Sequence, residues 1–323
     1  MSAPVSRLYA QTLDQPLPPQ DSEDADVFRR KVDRLADLLR GADAVVVGIG
    51  SGMSTAAGYD FYHESELFDG AFGAFRKAHG FATLFDGMYH LFSDNEQRWA
   101  FDAAIATFAD ALPVGEPYQR LARIVEGKEH FVITTNVDGQ VPRAFAEGRY
   151  WLFQGDMRFM QCSQPCNDEV VYDPSRAERL FFAALQSVDG VPRVPADLLP
   201  RCCHCHHLMI PWVRDTAFLE GALWREQKAA YEAFLVRHLV EGSGNVVFLE
   251  LGVSSMTPSI IKMPFWDMVA RNPRAFYAEV NCAEAVTPLQ LGCRAMVITA
   301  DLARVMEELE GRIEACRQGA SLE

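Results

Sequence analysis

Three short apolar runs limit what this chain can fold into: AVVV at 44–47, HFVITT at 130–135 and VVFLEL at 246–251. None is long enough for a fully buried helix, and none alternates between apolar and polar. That is the pattern of strands covered on both faces. Shorter runs at 150–153, 276–280 and 295–299 extend the set. Helical periodicities lie between them. Phe28, Val32, Leu35, Leu38 and Leu39 recur at three- and four-residue steps, with Ser22 expected as N-cap and Gly41 as the stop. Residues 116–125, 223–240 and 302–316 read as further helices, the second ending at Gly242. Strands alternating with helices predict an α/β fold with a Rossmann-like, parallel, doubly wound sheet.

Two segments break this rhythm. Residues 59–112 are helical and rich in aromatic side chains, and residues 157–220 carry five of the eight cysteines. Both read as insertions that together build a smaller, zinc-binding plus helical domain. The expected division is an N-terminal arm at 1–21, a large domain from 22–58, 113–156 and 221–318, and the two insertions. The aromatics at 61–92 read as core of the smaller domain, with some flanking a cleft. No internal repeat is present.

Net charge excludes some partners. The 323 residues carry a formal charge of −14 with no basic cluster, which disfavours nucleic acid and anionic membranes. No run of eighteen uncharged apolar residues offers a membrane span. The N-terminus lacks the basic-then-apolar order of a secretory signal. A cytoplasmic protein is therefore expected, and closely spaced cysteines in a reducing compartment point to metal ligands and not to a disulfide framework.

The loops that leave the strands carry the candidate chemistry. Gly48-Ile49-Gly50-Ser51-Gly52 follows the first strand. Such a loop lets the backbone approach a pyrophosphate, although the same residues make a tight turn, and Met53 stands where a third fingerprint glycine would be. Thr134-Thr135-Asn136-Val137-Asp138 leaves the second strand. Asn136 both donates and accepts, and Asp138 accepts from a carboxamide; either is equally a helix cap. Cys162 and Cys166 are separated by three residues, and Cys202 and Cys205 by two. Four thiolates at such spacing close a tetrahedral zinc site with no open position, hence structural. Cys203, His204, His206 and His207 crowd the second pair and stand as alternative ligands, and four buried apolar thiols are the metal-free alternative.

The glycine loop, TTNVD, FQGD at 153–156, the cysteine pairs, GVSSMTP at 252–258 and VNCAE at 280–284 occur in the order of the sirtuin family, which the chain resembles over roughly residues 30–310. The resemblance implies NAD bound between a large Rossmann-like domain and a small one. Gly48, Gly50, Ser51, Gly58, Asp60, Gly252, Ser254, Ser255, Asn281 and Asp301 would line the cofactor. Asn136 would position ribose and acceptor, and Asp138 would hold the carboxamide.

Two departures matter. Familiar deacylating sirtuins carry a histidine as general base where this chain has Gln154, and an amide does not titrate near neutral pH. A Pro-Asp-Phe-Arg step is replaced by Gly58-Tyr59-Asp60-Phe61-Tyr62, so Asp60-Phe61 keeps part of it and the arginine is gone. Both departures, with QCSQPCN at 161–167 and ELGVSSMTPSIIKMPFW at 250–266, resemble the macrodomain-linked class of sirtuins. That class implies an NAD-consuming protein ADP-ribosyltransferase in a bacterial setting. Its acceptor is a lipoylated relative of the glycine cleavage H protein, and a partner macrodomain hydrolase reverses the mark. Gln154 would orient the ribose. The rivals are a deacylase using water or another group as base, a free NAD hydrolase, and an NAD-sensing module without turnover. Scattered histidines (His63, His79, His90, His130, His238) and the isolated Cys282, Cys293 and Cys316 read as surface or packing residues, and 307–310 as a solvated acidic helix face.

Overall fold

A computed structural model describes residues 24–187 and 190–319. The arm at 1–21 and Ser22 lie outside the described residues. The first helix, α1 (Ala25–Gly41), is instead capped by Asp24, whose carboxylate accepts from the backbone of Asp26 at 2.9 Å and Val27 at 3.3 Å. Its buried stripe of Phe28, Val32, Leu35 and Leu39 is the one its periodicity requires.

Six strands form one parallel sheet: β1 (Ala44–Ile49), β2 (Glu129–Thr134), β3 (Tyr150–Leu152), β7 (Val246–Leu251), β8 (Ala275–Val280) and β9 (Ala295–Ile298). Their order is β3-β2-β1-β7-β8-β9. The reversal beside β1 separates the strands that follow it, β2 and β7, to opposite sides, and ligands of such sheets bind outside the carboxyl ends at that point. Every residue of β1 and β7 is buried, in keeping with helices on both faces. Those helices include α2 (Ser51–Ala56), α6 (Glu116–Val125), α9 (Ala222–Leu235), α10 (Lys262–Arg271) and α11 (Leu302–Gly319). The helix expected at 223–240 loses α geometry after Leu235 and finishes as a π turn over Val236–Glu241. The acidic stretch at 307–310 is not wholly a solvated face. Glu310 is buried, ion-paired to Arg120 and Arg123 of α6.

A second sheet is antiparallel, in the order β5-β4-β6: β4 (Gly155–Cys162), β5 (Val171–Tyr172) and β6 (Met209–Val213). The helices α3 (Glu66–His79), α4 (Leu84–Tyr89), α5 (Asn95–Ala111) and α8 (Pro174–Ala184) accompany it; α7 (Gln140–Ala144) follows β2. Ser65, Thr83 and Asp94 cap α3, α4 and α5. The aromatics Phe68, Phe72, Phe75, Phe81 and Phe101 pack with Met157, Met160 and Cys162 into a core separate from that of the large sheet.

Candidate active site

The glycine loop is shaped by one close approach. Gly50 N–H donates to Leu251 O at 3.0 Å and Gly52 N–H to Gly252 O at 3.0 Å. A Cβ on Gly50 would lie 2.5 Å from Gly252 O, and one on Gly52 2.8 Å from Gly252 Cα. Gly252 sits at φ +61°, where a side chain is strained. Gly48 has another reason to be glycine: a Cβ there would meet Ile261 and Phe265 of the packing layer.

The amide of Asn136 reaches back across the sheet end. Its Nδ2 lies 2.9 Å from Gly50 O, 3.0 Å from Ser54 Oγ and 3.0 Å from Tyr118 Oη. Its backbone N–H donates to Thr134 Oγ1 at 2.9 Å. Asp138 is fully buried, accepts from Ser54 Oγ and takes the Gln140 N–H at 3.0 Å, so it also serves the turn into α7. Burial pushes the Asp138 carboxyl up, against the lowering by those two hydrogen bonds. Burial and the neighbouring Asp138 hold the Tyr118 phenol well above its ordinary range. Ser54 and Tyr118 thus complete an Asn–Ser–Tyr–Asp network that the sequence reading did not include.

Ser51, Asn136, Asp138 and Gln154 line one cavity of about 110 Å³. Tyr62, Phe85 and Tyr89 wall it as well, and no histidine among the described residues lines it. Arg214 also lines it. Its backbone N–H donates to Gln154 O at 3.0 Å, and its guanidinium lies over the rings of Phe153 and Phe218 at 4.8 and 4.2 Å. A larger chamber of about 370 Å³ adjoins, sharing Met88, Tyr89, Met157, Val213 and Arg214, and reaching Trp99 and the Arg98–Asp102 ion pair.

Other expected cofactor residues sit in loops that leave the same sheet edge. Gly58 is a φ +84° turn; Asp60 accepts from the N–H groups of Tyr62 and His63, and so holds Tyr62 in the cavity wall. Ser254 Oγ accepts from Met256 N–H at 3.3 Å, and Ser255 N–H donates to Glu284. Asn281 donates to Val253 O at 3.1 Å. Asp301 caps α11 through the Arg304 N–H at 3.0 Å. None of Gly58, Asp60, Ser254, Ser255, Asn281 or Asp301 lines the 110 Å³ cavity itself.

Cys162, Cys166, Cys202 and Cys205 place their sulfurs within 4.8 Å of one another. Cys203 is exposed, and His204 points to Glu169 at 3.6 Å. The tight turn that reverses the second pair, with His206 N–H on Cys202 O at 2.9 Å and Cys202 N–H on His207 O at 2.8 Å, aims Cys202 and Cys205 inward. Backbone N–H groups of Cys205 and His204 pull the Cys202 thiol down to about 6, whereas Cys166, crowded by Cys205, is pushed up to about 12. Four sulfurs this close cannot all ionise without a cation, and a tetrahedral thiophilic ion fits the donor set.

No family model matches the chain. It is 28% identical over 292 residues to a protein ADP-ribosyltransferase of Staphylococcus aureus, covering 89% of this chain and 87% of that protein. It is 30% identical over 242 residues to a probable bifunctional ADP-ribose hydrolase/ADP-ribosyltransferase of Fusarium oxysporum f. sp. cubense, covering 73% of this chain and 40% of that protein. Among solved structures, a complex of a Sir2 homologue with NAD superposes with a TM-score of 0.58 at 18% identity, covering 95% of this chain and 99% of the other. A complex of Sir2 with a p53 peptide and NAD gives 0.52 at 16%, covering 88% and 99%. The chain therefore has the fold of the Sir2 homologues, and its sequence is similar to that of a protein ADP-ribosyltransferase.

Proposed function

We propose that this protein is an NAD-dependent protein ADP-ribosyltransferase, releasing nicotinamide and joining ADP-ribose to a protein acceptor. The observation that carries the reading is the cavity shared by Asn136, Asp138 and Gln154, which no histidine among the described residues lines. NAD supplies a glycosidic carbon–nitrogen bond that breaks with its electron pair leaving on nicotinamide. Asp138 accepts from the departing carboxamide. Gln154 hydrogen-bonds a ribose hydroxyl and fixes its orientation without taking its proton. Asn136 would hold a carboxylate oxygen of the acceptor in line with the anomeric carbon, where the new bond forms with no proton to remove. Acyl removal requires a later deprotonation, for which this cavity offers no imidazole. The loops of Gly50, Gly252, Ser254, Ser255 and Asn281 would hold the pyrophosphate and adenosine.

On this reading 22–58, 113–156 and 221–318 would seat the cofactor, and 59–112 with 157–220 would form the small domain around a structural zinc. The acceptor is a carrier protein with a lipoyl arm. The mainly apolar 370 Å³ chamber beside the cavity supports an acceptor that sends in such an arm. A macrodomain hydrolase as reversing partner is supported by the Fusarium relative, whose name joins both activities. The setting is the cytoplasm; no helix among the described residues is long and apolar enough to cross a membrane.

Incubation with labelled NAD and carrier protein, lipoylated and unlipoylated, followed by intact-mass measurement, tests this. A gain of one ADP-ribose on the lipoylated form alone is expected. Deacylated peptide with acyl-ADP-ribose and no such gain would overturn it.

A further inference from the structure

Beneath the loops that follow β7 and β8 lies a sealed charge cluster that the chemistry above does not use. Lys262, at the start of α10, places Nζ 2.5 Å from Glu250 Oε1 and 2.6 Å from Glu279 Oε1. Tyr277 Oη lies 2.8 Å from Glu250 Oε2 and 3.1 Å from Glu279 Oε2. Glu279 Oε2 also accepts the Val286 N–H at 3.1 Å. All four side chains are buried at 0% exposure. The charged and titratable groups that face Glu279 are therefore Glu250 from β7, Lys262 from α10 and Tyr277 from its own strand, with the Trp266 ring 5.9 Å from the ammonium.

The hydrogen bonds leave a place for one shared proton. Tyr277 has one O–H but touches two carboxylate oxygens. Its hydroxyl can donate to Glu250 Oε2 at 2.8 Å or to Glu279 Oε2 at 3.1 Å but not fully to both, so a proton held on Glu279 would relieve the contact left unserved. The same count leaves one ammonium against one carboxylate, the electroneutral arrangement a sealed site requires. Three of the four members tie down loop roots. Glu250 lies two residues before Gly252, Glu279 two before Asn281, and Lys262 closes the loop that begins at Gly252. Above the cluster the two loops are cross-braced by Asn281 on Val253 O and by Ser255 on Glu284.

We propose that Glu250, Lys262, Tyr277 and Glu279 form a one-proton brace that sets the spacing of the two loops holding the adenosine half of NAD, and so governs cofactor affinity but not the bond-breaking step. They are positioning residues, and the inference rests on the reading of the cleft given above. Burial, with Glu250 adding to it against Lys262, pushes the Glu279 carboxyl up to about 8. Above that pH the brace loses its proton, and a net negative charge is left in a dry site.

Calorimetry of ADP-ribose binding across pH 6–9.5 tests this, because ADP-ribose lacks the nicotinamide that Asp138 would hold. The expected Kd is flat to about pH 7.5, then rises up to about tenfold per pH unit, while kcat for nicotinamide release stays within about twofold. Glu279→Gln keeps the site neutral and is expected to flatten the rise. Cys282→Ala, which removes an exposed thiol beside Asn281, is expected to leave it intact, and this arm stands even if Glu279→Gln fails to fold. A wild-type Kd flat to pH 9.5, a rise abolished by Cys282→Ala, or an unchanged rise in Glu279→Gln would overturn the brace while leaving the proposed function standing. No binding of NAD or ADP-ribose at pH 7 would remove both.

Discussion

Replacing Asn136 by alanine separates what that amide does for the scaffold from what it does for the reaction. Its two N–H groups have three acceptors within 3.0 Å, so about two hydrogen bonds are lost. The abandoned acceptors are not orphaned. Ser54 and Tyr118 retain each other at 2.9 Å, and Gly50 O keeps the Met53 N–H at 3.1 Å. The stability cost therefore falls at the low end for two neutral hydrogen bonds, about 1–2 kcal/mol. That is a fall in Tm of about 1.5–3 °C for a chain of this size. A polar group preorganised against the reacting ribose and acceptor is worth more, about 10²–10³ in kcat. Nicotinamide release at saturating NAD, followed beside a melting curve, distinguishes the two. The expected variant melts a few degrees early and turns over at least a hundredfold more slowly. A similar melting shift with kcat within threefold of wild type would refute the assignment of Asn136 to the chemistry and leave it a loop tie.

Gln154→His restores a titratable group at the cavity. It is expected to raise acyl-ADP-ribose formation from an acylated peptide by about 10²–10⁴, and absence of that product would show that the missing imidazole is not what blocks deacylation. Chelation at pH 7 is expected to strip one zinc per chain and collapse the small core, read by metal analysis and near-ultraviolet circular dichroism; an unchanged melt with no metal released would contradict the four-thiolate site. The Arg123 guanidinium, with help from Arg120, holds the Glu310 carboxyl below its ordinary value. A depressed folded pKa gives stability that is present above the unfolded value and lost as pH falls through the folded one. Glu310→Gln is therefore expected to cost about 1.5–3 kcal/mol at pH 7, with the gap to wild type closing in acid; a gap that does not change with pH would refute the ion-pair account.

The large sheet was readable because burial on both faces leaves an unbroken apolar run. The runs at 246–251 and 130–135 match β7 and β2 to within a residue. Helix ends were read less well, since Asp24 and Ser22 are equally good caps by type and only the path of the chain chooses between them. The turn after Cys202 likewise could not be seen in PRCCHCHH, where six potential ligands follow one another and geometry selects two. Ser54 and Tyr118 went unread for a different reason. Their partners Asp138 and Asn136 lie 84 and 18 residues away, and a serine within GSGMST or a tyrosine on an amphipathic helix carries no local mark of that meeting. Lys262 is similar: within SIIKMPFW nothing shows that two glutamates from separate strands converge on its ammonium.

The pairing of β1 with β7 also bears on how the protein is made. Ile49 lies opposite Leu251, roughly two hundred residues later in the chain. A ribosome adding about 5–20 residues per second needs on the order of 10–40 s to deliver the second strand after the first. Through that interval the glycine loop has no floor, and one edge of the first strand waits bare. NAD in the cell therefore has nothing to grip on the nascent chain, and truncation anywhere before residue 246 leaves an edge open to pairing with other chains.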